Sequence, residues 1–163
     1  MPAGQYVRLV VGGHTVMSDT RMERMTNSDF VRDANGDVLV AGLGIGMILD
    51  EIESRAAKRP RPIKSLTVVE KNPDVIRLVA PKFPGVAVIE ADIFTWRPAR
   101  GQKFDTIYFD IWTGICVDNL DEMAKLHRSF ARFLNRDNPD AWMGSWMRDY
   151  LRAERRRDAR MYA

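Results

Sequence analysis

Three glycines at alternate positions, Gly42, Gly44 and Gly46, follow the apolar run Val38-Leu39-Val40-Ala41 and precede a stretch with helical patterning. Glycine at a strand-to-helix turn lets a ligand approach the backbone where a Cβ would clash, and it aims the free N–H groups of the first helical turn at that ligand. The turn therefore suits a nucleotide or nucleoside. A second apolar run, Ser65-Leu66-Thr67-Val68-Val69, ends in Glu70. A carboxylate there accepts hydrogen bonds from ribose hydroxyls, each worth roughly 1.5–3 kcal/mol because the acceptor is charged. Two further runs, Val86-Ala87-Val88-Ile89-Glu90-Ala91 and Phe104-Asp105-Thr106-Ile107-Tyr108-Phe109, end in Asp92 and Asp110. Acidic strand tips in succession beside one glycine turn point to a shared site.

The elements that must position these residues read as βα units. Val38 to Ala41 is short, continuous and rich in β-branched residues, which suits a central parallel strand covered on both faces. Met47, Ile48, Ile52 and Ala56, with Asp50, Glu51, Glu53 and Lys58 between them, predict a helix with one apolar side. Arg59-Pro60-Arg61-Pro62 is a stiff connection, Asn72-Pro73 starts a helix from Asp74 to about Phe83, and Pro84-Gly85 ends it. Four such units imply a Rossmann-like α/β fold whose parallel sheet has right-handed crossovers and the order 3-2-1-4, counting strands from Val38. In that architecture the ligand lies beyond the carboxyl ends of the strands, where Gly42–Gly46, Glu70, Asp92 and Asp110 fall.

Ahead of this core, Tyr6 to Val11, Gly12-Gly13 and His14 to Met17 predict a hairpin, and Ser18-Asp19 predicts an N-cap for a helix from Thr20 to Arg32. Two roles are open to this segment: covering a sheet edge, or walling a substrate cavity with Met17-Ser18-Asp19, which makes Asp19 a candidate substrate residue. After Asp110 only helices are expected. One begins near Asp118 and carries Leu120, Met123, Leu126, Phe130 and His127, read as a structural or surface histidine rather than a base; the last starts at Asn138-Pro139 with an apolar stripe of Trp142, Trp146, Tyr150 and Leu151. Its tail, Arg148 to Arg160, holds six arginines and three acids, a solvated helix face or a phosphate-binding patch for nucleic acid.

Composition bounds the rest. With 45% hydrophobic and 29% charged residues over 163, one globular domain can bury a sizeable core, divided into residues 1–36 (hairpin and helix), 37–112 (ligand-binding core) and 113–163 (helices). The single cysteine, Cys116, rules out an intramolecular disulfide, and Met1 to Gln5 show no basic-then-apolar leader pattern, so a cytoplasmic location is expected. No run approaches the ~18 apolar residues of a membrane span. Two histidines and one cysteine, far apart, argue against zinc, and no metal is expected.

These residues resemble the class I S-adenosylmethionine-dependent methyltransferases, and more narrowly the spermidine-synthase-like branch, over roughly Tyr6 to Trp112. The resemblance rests on Val38 to Gly46, on Leu66 to Ile76 including Glu70-Lys71-Asn72-Pro73, on Val88 to Phe94, and on Phe104 to Asp110. With Asp110-Ile111-Trp112 and Trp142 to Trp146, the whole chain also resembles short phage-type methyltransferase-like proteins. The likeness implies a role for each residue. Gly42, Leu43, Gly44 and Gly46 would pass the methionine part and ribose of the cofactor, Glu70 beside Lys71 would take the ribose hydroxyls, and Asp92 would accept from the adenine amine with Ile93 or Phe94 against the ring. Asp110, also among the expected cofactor-binding residues, matches the carboxylate that orients and deprotonates the attacking amine in aminopropyltransferases.

Two departures set this chain apart from the aminopropyltransferases. Ile45 stands where their glycine loop carries an acid, and Asp110-Ile111-Trp112-Thr113 replaces their Asp-x-x-Asp-Pro signature. A polyamine needs several carboxylates to replace water, so methyl transfer from S-adenosylmethionine to an amine or hydroxyl of a small-molecule acceptor is the leading expectation. Asp110 would be the orienting base and Trp112 a wall of the acceptor site. The alternatives are aminopropyl transfer from decarboxylated S-adenosylmethionine and a non-catalytic cofactor-binding or partner-binding module. The hairpin and the aromatic last helix make a homodimer reasonable.

Overall fold

A computed structural model describes residues 6–161, so the segment read above for a leader lies outside it. Among the described residues seven strands and six α-helices follow one another: β1 (Arg8–Val11), β2 (His14–Ser18), α1 (Arg21–Thr26), α2 (Ser28–Asp33), β3 (Gly36–Ala41), α3 (Met47–Ser54), β4 (Ile63–Glu70), α4 (Pro73–Val79), β5 (Ala87–Glu90), β6 (Thr106–Phe109), α5 (Asn119–Phe130), β7 (Trp142–Ser145) and α6 (Arg148–Met161). β3 to β7 form one parallel sheet in the order β5-β4-β3-β6-β7, and β1 and β2 pair separately as an antiparallel hairpin. Gly12 and Gly13 both have positive φ, the backbone of a two-residue turn that matches strand twist. The expected order 3-2-1-4 is present within this sheet. The chain leaves β3 toward β5, returns, and resumes on the other side at β6, which makes the gap between β3 and β6 the topological switch point.

The sheet is covered on both faces, as its uninterrupted apolar strands require. Val38 and Val40 point to one side, where Phe30 of α2, Ile48 and Ile52 of α3 and Val75 and Val79 of α4 pack with Phe83. Leu39 and Ala41 point to the other, against Leu126 and Phe130 of α5 with Ile107, Phe109 and Phe133. Among the described residues no helix is long and apolar enough to cross a membrane. α6 buries only Leu151, and most of its arginines face solvent.

The structure corrects three expectations. Trp142–Ser145 is a strand beside β6, with Thr106 opposite Trp142 and Phe109 opposite Ser145, so the region after Asp110 is not purely helical. Asn138-Pro139 does not start a helix. The Asn138 amide is tied to the Asp105 carboxylate at 2.9 Å and to Asn35 Oδ1 at 3.1 Å, and its own Oδ1 closes a local turn by accepting from Asp140 N–H, which delivers the next residues to the sheet edge. Gly144 permits that strand, because a Cβ there would stand 2.5 Å from the Trp142 ring. The second correction is at Asn27, which splits the predicted Thr20–Arg32 helix into α1 and α2. Its buried side chain accepts from the Tyr108 hydroxyl at 2.9 Å, and this contact lets Phe30 stack on Tyr108 with ring centroids 4.2 Å apart. The N-cap of α1 is Thr20, not Ser18-Asp19.

At the amino end of the sheet, buried Asp105 accepts from Asp37 N–H (2.8 Å), Asn135 (2.7 Å) and Asn138 (2.9 Å). Burial works against its charge, and these hydrogen bonds outweigh burial and hold its pKa below the usual carboxylate value. Asp105→Ala strands the two amides and one backbone donor, and is expected to cost about 3 kcal/mol, read as a Tm lower by roughly 6–12 °C; an unchanged Tm would remove this network from the account. His127 of α5 meets Ser145 Oγ at 2.8 Å, and burial, helped by Arg148 and Arg152 and opposed by Asp149, brings its pKa down to about 4. An unfolded histidine protonates near 6.5, so the unfolded chain gains a proton that the native state refuses, and stability falls as pH drops from about 6.5 to 4. In His127→Gln, denaturant titrations over that window should show about 1 kcal/mol per pH unit less acid loss.

Candidate functional site

Beyond the carboxyl ends of the sheet lies a cavity of about 390 Å³, within the range of small-molecule sites. Four strands contribute to it directly: β3 through Gly42, Leu43 and Gly44, β4 through Glu70, Lys71 and Asn72, the segment after β5 through Asp92, Ile93 and Phe94, and β6 through Asp110, Ile111 and Trp112. The hairpin adds Leu9, Val16 and Met17, so of the two roles open to it the hairpin takes the one that walls the cavity.

The glycine turn is held by both neighbouring strands. Gly42 N–H donates to Val69 O at 2.9 Å, and a Cβ on Gly42 would lie 2.1 Å from the Asp110 carbonyl oxygen. Gly44, with φ +52°, faces the hairpin, where a Cβ would stand 2.3 Å from Met17 Sδ. Gly46 differs from its expected place. It does not line the cavity; it packs under α3, where a Cβ would collide with the Phe83 ring at 2.4 Å, so close packing of the helix on α4 explains this glycine.

Glu70 fastens the turn to the loop that follows β4. Its Oε2 accepts from Leu43 N–H at 2.9 Å and its Oε1 from Asn72 N–H at 2.8 Å. A carboxylate has about four acceptor positions, so these bonds leave capacity for the hydroxyls of a ligand. Asn72 also caps α4 by accepting from Asp74 N–H at 3.0 Å. Asp92 is exposed, and its Oδ1 accepts from Phe94 N–H at 2.8 Å, which closes a turn and sets Phe94 on the cavity wall beside the more deeply buried Ile93.

Asp110 carries the electrostatics. Its backbone N–H donates to Ala41 O at 2.8 Å, which sets it at the switch point. Burial pushes its carboxyl up to about 7, the Glu23 carboxylate adds to the rise, and a hydrogen bond from Asn27 opposes it. Tyr108, driven upward by burial and by Asp110, keeps its hydroxyl proton and donates it to Asn27. Trp112 lines the cavity and donates from Nε1 to Glu122 Oε2 at 2.8 Å. Asp19 lies off the cavity: its Oδ1 accepts from Val7 N–H at 2.9 Å and closes the base of the hairpin.

Sequence reasoning missed Glu23, Asn27 and Trp146, which also line the cavity. Glu23 accepts from both the N–H and the hydroxyl of Ser18 at 2.9 Å, which ties α1 to the hairpin. Its one signal in the sequence is its place three residues after Thr20, the spacing of a capping box, in which an acid is a structural residue. Trp146 donates from its backbone to Phe109 O at 2.9 Å and from Nε1 to Thr26 Oγ1 at 2.9 Å, so it stands beside Asp110 only because β7 exists. Among the described residues no group of three or more His, Cys, Asp or Glu side chains is arranged to hold a metal ion.

No protein-family model matches the chain, and no curated protein does. Solved structures do match in fold. DhpI in complex with SAH superposes with a TM-score of 0.52 at 17% identity, over 70% of this chain and 52% of that one. The plantazolicin methyltransferase BpumL, in complex with a pentazolic desmethylPZN analog and SAH, superposes with a TM-score of 0.50 at 15% identity, over 72% of this chain and 45% of that one. This chain spans about half the length of each. Its fold is the Rossmann-like class I methyltransferase fold.

Proposed function

We propose that this protein binds S-adenosylmethionine in the cavity at the strand ends and transfers its methyl group to an amine or hydroxyl of a small-molecule acceptor. One observation carries the reading: the glycine turn, Glu70, Asp92 and Asp110, from four neighbouring strands, wall one cavity. The residues fit the cofactor. Gly42 and Gly44 line the cavity with backbone alone, Glu70 retains acceptor capacity toward the ribose, and Asp92 with Ile93 and Phe94 offers an acceptor and an apolar wall for the adenine. Both solved relatives reported above were crystallised with SAH, which supports the same assignment here.

When bound, the cofactor supplies a methyl group on a sulfonium, whose carbon–sulfur bond breaks with its electron pair returning to sulfur. The chain has to hold a nucleophile in line and keep water out, and such positioning can lower a barrier by up to about 7–11 kcal/mol. Asp110 orients the acceptor and takes its proton, for which a carboxyl raised to about 7 is suited near neutral pH. Trp112 and Trp146 close that end of the cavity.

Calorimetry tests the cofactor assignment. S-adenosylmethionine and S-adenosylhomocysteine should bind, Glu70→Ala should weaken both by about 10–100-fold through lost charged hydrogen bonds, and tight binding of decarboxylated S-adenosylmethionine alone would transfer the proposal to aminopropyl transfer. Asp110 makes a separate prediction. The native state keeps its proton up to about pH 7, whereas an unfolded carboxyl loses it near 3.8, so stability declines as pH rises between those values. Asp110→Asn escapes that decline: its Tm should match wild type near pH 4 and exceed it by about 3 °C or more above pH 7. A constant Tm difference across pH would show that Asp110 titrates normally.

A further inference from the structure

The cavity has two chemically different ends. Those walls assigned above to the cofactor come from the ends of β3, β4 and β5; the opposite end is built by Asp110 after β6, Trp146 after β7, and Glu23 and Asn27 from the α1–α2 junction. The charged residues that line the whole cavity are five acids, Glu23, Glu70, Asp92, Asp110 and Glu122, and one base, Lys71, which belongs to the β4 side. At the β6–β7 end no described lining residue is cationic.

Glu23 is held still. Both of its oxygens accept from Ser18, at 2.9 Å each, and Asn27, buried and fixed by the Tyr108 hydroxyl, donates from Nδ2 to Glu23 O at 3.4 Å. Glu23 and Asp110, both half-buried, wall the same end of the cavity, where the Glu23 carboxylate acts against the charge of Asp110, and a cation between them removes that repulsion. Trp146, fixed at its backbone and at Nε1, adds an aromatic surface beside them, and such surfaces attract ammonium groups by roughly 0.5–2 kcal/mol.

We propose that Glu23, Asp110 and Trp146 form an acceptor subsite that selects a primary or secondary amine arriving as an alkylammonium, with Glu23 as the specificity-determining residue. The inference rests on the methyl-transfer reading above and narrows its acceptor from amine or hydroxyl to amine. In the step it implies, an N–H proton passes to an Asp110 carboxylate oxygen, and the freed nitrogen lone pair forms the bond to the methyl carbon as the carbon–sulfur electrons return to sulfur. Glu23 is held in place by its two bonds from Ser18. Anionic acceptors are excluded by the same pair, and alcohols lose the charge pairing.

A shape-matched probe series tests this by calorimetry on the full chain. Protein is first titrated with S-adenosylhomocysteine, and the saturated complex is then titrated with benzylamine, benzyl alcohol and benzoate. The expected result is benzylamine binding at least tenfold tighter than benzyl alcohol, no heat from benzoate, and a loss of about tenfold in benzylamine affinity in both Glu23→Gln and Asp110→Asn, with S-adenosylhomocysteine affinity within twofold of wild type in Glu23→Gln. Both substitutions keep side-chain size, and circular dichroism with the first titration shows whether each variant is folded. Benzyl alcohol or benzoate binding as tightly as the amine, or amine binding that survives both substitutions, overturns the inference while leaving the cofactor assignment intact. Failure of S-adenosylhomocysteine to bind wild-type protein overturns both.

Discussion

The site depends on register. β3 pairs in parallel with β4 on one side and β6 on the other, and Ala41 stands opposite both Val69 and Phe109. The next residue of each strand is therefore Gly42, Glu70 or Asp110, all at one level of the sheet. On the outer side Glu70 is opposite Glu90, which places Ala91 and Asp92 just beyond the same rim. Because side chains alternate faces along a strand, a slip of one residue in any of these pairings would turn a core residue outward and carry its acidic tip away. The apolar covering of both faces thus specifies the functional rim: Val38 and Val40 must meet α2, α3 and α4 while Leu39 and Ala41 meet α5.

Charge placement follows from that frame. Glu70 spends one bond on Leu43 and one on Asn72, which pins the glycine turn with a group that also faces the cavity. Asp110 shares one end of the cavity with Glu23 and Asn27, and its raised proton affinity, due to burial and to Glu23, is the electrostatic cost of that arrangement. The cost is sustained by a cooperative set of contacts, in which Tyr108 holds Asn27, Phe30 stacks on Tyr108, and Ser18 holds Glu23. The hairpin is part of the same set. A two-strand hairpin is marginal on its own, and this one is tied down through Ser18 to α1 and through Met17 to Gly44.

Much of this was legible in the residues. The apolar run before Gly42, the acids after each later run and the helical stretches between them yield the four central strands, their order and the rim on which Glu70, Asp92 and Asp110 lie. Three features were not legible, each for a physical reason. Trp142, Trp146 and Tyr150 recur at a spacing of four, which is the signature of a helix stripe, yet Asn138 is captured by Asp105 and Asn35, distant residues whose proximity only the fold creates. Asn27 sits in a good helical pattern, and its break comes from Tyr108, far along the chain. Gly46 belongs to a glycine pattern that reads as ligand contact, whereas its neighbour is the Phe83 ring. Glu23 combines both difficulties, since its local spacing explains it fully as a helix-start residue while its place beside Asp110 depends on the α1–α2 bend. Tertiary partners overrode local pattern in each case.

The central claim is that one cavity at four strand ends receives an adenosine-containing cofactor. Amide NMR of isotope-labelled protein titrated with S-adenosylhomocysteine tests it most directly. The account predicts saturable shift changes concentrated at Gly42, Leu43, Gly44, Glu70, Lys71, Asn72 and Asp92 to Phe94, with little change along the arginine-rich face of α6. Unperturbed spectra at millimolar ligand, or shifts confined to α6, would contradict it.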